Sequence, residues 1–101
     1  MLKIEIVPKS GWDAYELLKD RIAQRALTWV WKDQEQTVLQ HIRKPGGHIS
    51  LTRLENRLVA RVVSASREDR MFLAERFVGR LLAWLSGELR SIHLHLDVPT
   101  E

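Results

Sequence analysis

The sequence contains no cysteine. That removes disulfides, thiolate metal sites and thiol nucleophiles together. It has no apolar run near the roughly 20 residues that a membrane-spanning helix needs. Its first residues, Met1-Leu2-Lys3-Ile4-Glu5, alternate charge with hydrophobe where a secretory leader would be continuously apolar. No Gly-x-Gly-x-x-Gly or Walker-type loop occurs, and none of its serines lies in a Gly-x-Ser-x-Gly elbow. No pair of apolar-flanked carboxylates suggests acid–base work. These absences point to a non-catalytic chain, with the cytoplasm as its default location.

What is present fits one domain. At 101 residues the chain supports a single core, and 45% hydrophobic with 29% charged residues is ordinary globular composition. The expected domain covers residues 1–97, with Val98-Pro99-Thr100-Glu101 as a loose tail. Net charge is +3, from 16 basic and 13 acidic residues. Eleven of the basic residues are Arg, which favours bidentate contacts to carboxylate or phosphate. The excess is still smaller and less clustered than dedicated nucleic-acid domains show.

The strongest periodic signal is Arg67 to Glu88, an amphipathic helix. Ser66 is placed to cap it and Asp69 to answer as a capping box, while Gly87 stands where a left-handed C-terminal cap is expected. Leu73, Trp84, Phe77, Leu81, Ala74, Leu85, Val78, Met71 and Leu82 fill about half its circumference. Earlier in the chain, Leu2, Ile4 and Ile6 mark a strand stopped by Pro8. A helix opened by Ser10 or Gly11 runs to about Arg25. Four meander strands follow, at 27–32, 37–43, 48–54 and 57–63, with Glu55-Asn56 as a two-residue hairpin loop. Ser91 to Asp97 alternates again as a last strand.

The order β-α-β-β-β-β-α-β predicts an α+β two-layer sandwich: a six-stranded, mostly antiparallel sheet with two helices on one face. Pairing across the loops sets Trp31 opposite Val38, Ile42 opposite Ile49 and Ile49 opposite Val62. The helix-covered face then collects Leu27, Trp29, Trp31, Val38, Ile42, Ile49, Leu51, Leu58, Ala60 and Val62, with Gln40 and Arg53 as its polar members. The last strand is expected between the first and second, in a split, ferredoxin-like arrangement. Placing the first strand directly beside the second is the alternative.

The opposite, uncovered face is expected to carry all four histidines. His93 and His95, two apart on a strand, project to one side, and Asp97 and His41 could complete a divalent metal site such as zinc. Solvated strand histidines look the same in sequence. Lys32, Arg43, Arg57 and Arg61 offer a basic surface for nucleic acid, but Trp29 and Trp31 fall on the other face and leave nothing for bases to stack on. Lys44-Pro45-Gly46-Gly47 could cradle a phosphate, although it reads equally as a turn. Phe72, with Gly79 and Ala83, forms an outward stripe on the long helix. The favoured function is a protein-interaction or self-association module using the open face, through Lys32, His41, Arg43, His48, Arg57, Arg61 and Phe72. Its partner would be a second copy or another protein, without cofactor and without a membrane.

Overall fold

The computed structural model describes residues 1–97, so the expected tail at 98–101 lies outside them. Among the described residues the chain forms β1 (Leu2–Pro8), α1 (Ala14–Arg25), β2 (Trp29–Trp31), β3 (Val38–His41), β4 (His48–Leu54), β5 (Arg57–Val63), α2 (Arg67–Leu85) and β6 (Leu89–His95). The six strands make one antiparallel sheet, and the architecture is the expected α+β sandwich.

The strand order is β2-β3-β4-β5-β1-β6, which corrects both expected placements. β1 lies between β5 and β6, pairing Ile4 with Ala60 on one side and with Leu94 on the other. The sequence pattern explains the outcome. Leu2, Ile4 and Ile6 are fully buried, and β1 is safest where both its edges are paired. The short β2 tolerates an outer position better.

The helices start where side chains satisfy the first amides. Asp13 caps α1, accepting from Tyr15 N at 3.0 Å and Glu16 N at 3.3 Å. The start falls later than Ser10 or Gly11 because residues 9–12 turn first. There Trp12 N donates to Lys9 O, and Gly11 takes φ +89°, a left-handed conformation that costs glycine little. Ser66 caps α2 as expected, accepting from Asp69 N at 3.3 Å. Asp69 itself pairs with Lys44 at 3.1 Å instead of closing a capping box. The helix ends at Leu85, with Ser86 still right-handed (φ −56°), so Gly87 serves as no left-handed cap.

The register agrees with expectation at the β4–β5 hairpin, where Ile49 faces Val62 and Leu51 faces Ala60 across Glu55-Asn56. It differs at the two preceding turns. Trp31 faces Leu39, not Val38, and Leu39 faces Ile49 in place of Ile42. The first turn is one residue longer than assumed. The Asp33 carboxylate closes it by accepting from Thr37 N at 2.9 Å and Val38 N at 3.0 Å, while Gln36 sits at φ +59°. The second turn dips beneath α2. A Cβ on Gly47 would crowd Leu73 Cδ1 at 2.8 Å and both Ser64 Cβ and Val63 O at 3.1 Å, so any larger residue there would force its neighbours to shift.

Because side chains alternate, a one-residue shift turns β3 over. Leu39 and His41 face the helices, while Val38 and Gln40 face outward. Ile42 is 55% exposed and Leu27 is 91% exposed, so neither is core. The shift also takes Gln40 off the apolar face. The core joins the inner residues of the sheet to Ala14, Leu18 and Ile22 of α1 and to Leu73, Ala74, Phe77, Leu81 and Leu85 of α2. Arg53, the other polar member of that face, reaches the start of α1, pairing with Asp13 and with Glu16 at 3.6 Å.

Two substitutions separate the observed phase from the expected one. Leu39→Ala should cost about 2–5 kcal/mol, as buried truncations do. Ile42→Ala should stay within about 0.5 kcal/mol. Urea denaturation with an unchanged m-value measures both, and a larger loss at Ile42 than at Leu39 would overturn this register.

Candidate interaction surface

The uncovered face of the sheet is built from cross-strand rows. One runs Val38, Ser50, Arg61, Lys3, His95, and a parallel one runs Thr52, Val59, Glu5, His93. Lys32 extends the first row at the end of β2, where its N–H donates to Val38 O at 2.8 Å. Among the described residues Glu5 is the only carboxylate carried by the six strands. Lys3 Nζ lies 3.2 Å from it, His95 Nε2 3.6 Å and Arg57 Nε 3.8 Å. The Lys3 hydrogen bond, aided by the neighbouring positive charges, holds the Glu5 carboxyl below its ordinary range against the opposing effect of burial. Lys3, Lys32, Arg57 and Arg61 against one carboxylate leave this face cationic.

Three of the four histidines lie on the open face. His48 faces Val63 across β4–β5, and burial, followed by the charge of Lys32, lowers its pKa. His93 and His95 project side by side from β6, with His93 Nε2 2.9 Å from Ser91 Oγ. The strands β5 and β1 separate His48 from that pair. Asp97 lies past the end of β6, where it lines a cleft with Arg67 and Arg70 of α2. Among the described residues no three His, Asp or Glu side chains gather at metal-ligand spacing.

His41 corrects the expectation that it shares their face. The shift of β3 buries it to 4% exposure on the helix side. There its ring stands edge-on between Trp29 (4.9 Å) and Phe72 (5.2 Å), and Nδ1 accepts from Arg43 N at 3.1 Å. Phe72 is accordingly no outward stripe with Gly79 and Ala83. It covers His41 and is flanked by Lys44 at 5.1 Å and Arg76 at 5.0 Å. Arg43 follows β3 in the turn to β4, off the open face. In that turn the Gly47 amide is already engaged, donating to Lys44 O at 3.2 Å.

Two features escaped the sequence reading. Trp12, exposed just before the α1 cap, lines a cleft of about 350 Å³ with Arg53 and Arg57. More extensive is an apolar groove of about 430 Å³ between α2 and β6, whose walls include Met71, Val78, Leu82, Leu94 and Leu96. Met71 and Leu82 were expected in the core. The sign of the groove was the width of the α2 apolar arc, which exceeds the stripe that one sheet face covers. Leu94 is 49% and Leu96 59% exposed. Because Leu94 pairs with Ile4, it points to the helix side of the sheet, where it faces the groove and stays half exposed.

His41 sets a pH dependence. Burial lowers its pKa, and the charges of Arg43 and Arg76 add to the effect. The unfolded chain therefore takes up the proton first, and stability is full above about pH 6.5 and falls as pH drops below it. His48 acts in the same direction. Replacing the ring in His41→Phe should flatten part of the loss between about pH 7 and 5.5 in denaturation curves. An unchanged slope would assign that loss to other groups.

What these surfaces bind rests on their own chemistry, since no family model, no curated protein and no solved structure matches the chain.

Proposed function

We propose that the protein is a non-catalytic self-association module that pairs with a second copy along the outer edge of β6. One observation carries this reading: a seven-residue edge strand is flanked on its helix side by a continuous apolar groove. Edge strands of monomers are usually short or blunted by an inward charge or proline. The opposite edge, β2, has only three residues. β6 contains neither Pro nor Lys, its one permanent charge is Arg90 near its start, and its helix-side positions Ile92 and Leu94 are followed just past its end by Leu96.

The strand is also complementary to itself. An antiparallel copy centred on Leu94 sets Leu94 against Leu94 and brings Ile92 towards Leu96, just past the end of β6, so the helix side of the seam is apolar. The open face suits self-pairing less well, because stacking two copies there would bring Lys3, Lys32, Arg57 and Arg61 against their equivalents. That face supports a second reading, a polyanionic partner such as nucleic acid, whose affinity would fall steeply with salt. Among the described residues the charged and titratable side chains are engaged structurally: Glu5 is tied to cations, Asp33 closes a turn and His41 is enclosed by aromatic rings.

Light scattering after size exclusion should report about twice the 11.8 kDa chain mass, unchanged by moderate salt. Leu94→Arg should give a folded monomer, since Leu94 is half exposed and outside the core. A wild-type monomer at every concentration, or a Leu94→Arg dimer, would sink this reading.

A further inference from the structure

We infer that pairing of two copies along β6 assembles a site for a divalent transition metal such as Zn²⁺ from His93 and His95 of both copies. This inference rests on the self-association proposed above. Within one chain the two imidazoles are half a site. They stand two residues apart on one face of β6, about 7 Å along the strand. His93 is oriented through Nε2 by the Ser91 hydroxyl at 2.9 Å, while His95 Nε2 lies 3.6 Å from the Glu5 carboxylate. Nδ1 of each ring meets no partner among the described residues. For His93, an oxygen on one ring nitrogen and an open position at the other resembles metal-binding histidines, whose second nitrogen is held by an oxygen group, and for His95 a carboxylate stands close to the corresponding nitrogen.

Symmetry supplies the other half. If two copies of β6 extend one sheet about a twofold axis, every side chain keeps its own face, so only residues of like parity can pair. The pairing that matches Leu94 with Leu94 also sets His93 of each copy opposite the partner's His95. Cross-strand Cβ atoms lie about 4.5–5.5 Å apart. Four imidazoles then surround a common point on the open face, and four nitrogens satisfy tetrahedral zinc at about 2.0–2.1 Å. Lys3, which stands opposite His95, is already paired with Glu5. Glu5 and its equivalent in the partner place negative charge behind the ligands. His41 takes no part, and His48 is too far across the sheet.

Calorimetric titration of the full chain with zinc, followed by light scattering, tests the site. The expected result is one zinc per two chains and dimers at lower protein concentration with zinc than without. His93→Ala and His95→Ala should each weaken binding at least tenfold yet still dimerise when concentrated. Leu94→Arg, with both histidines intact, should lose binding as well. A metal-free dimer that takes up no zinc would overturn the metal site and leave the self-association standing. One zinc per chain, or Leu94→Arg binding as tightly as wild type, would overturn the shared site. A chain that stays monomeric with and without zinc would overturn both.

Discussion

The structure depends on the position of its first strand. β1 is the one place where the meander and the last strand meet, with β5 along one edge and β6 along the other. Leu2, Ile4 and Ile6 fill the centre of the sheet beneath the helices, and Lys3 and Glu5 hold the polar face together on the other side. Remove that strand and β6 has no neighbour, the groove loses the wall that Leu2 provides, and Glu5 no longer joins Lys3, Arg57 and His95. Both candidate surfaces are thus by-products of one central strand with different chemistry on its two faces.

Much of this was legible in the sequence. The two helices, the six strands and the β4–β5 hairpin announce themselves by period and turn chemistry, and the core of α2 follows from its apolar arc. The phase of β3 does not. It depends on whether a turn has four or five residues, and that is decided by the Asp33 carboxylate reaching Thr37 and Val38. It depends too on Gly47 passing beneath Leu73, a tertiary contact with no local trace. The order of strands was equally hidden, because β1 alternates like any strand and its partners lie more than 50 residues away.

The candidate surfaces were legible in part for the same reason. His48, His93 and His95 fall where alternation puts them, since the phases of β4 and β6 were read correctly. His41 inherits the error in β3 and becomes a buried aromatic spacer between Trp29 and Phe72. Leu94 and Leu96 look like ordinary core positions until the number of helices is weighed against the width of the sheet. Two helices cannot roof six strands spaced about 4.8 Å apart, and the uncovered apolar strip falls at β6.

The interior position of β1 also sets an order of events in time. During synthesis β1, the meander and α2 all emerge before β6, so the outer edge of β1 waits unpaired while the rest of the core gathers. For that interval the nascent chain presents a strand whose alternate residues are Leu2, Ile4 and Ile6, a template for wrong partners. Docking of β6 closes that edge and presents its own in place of it. The polypeptide exchanges one unpaired edge, that of β1, for another, that of β6.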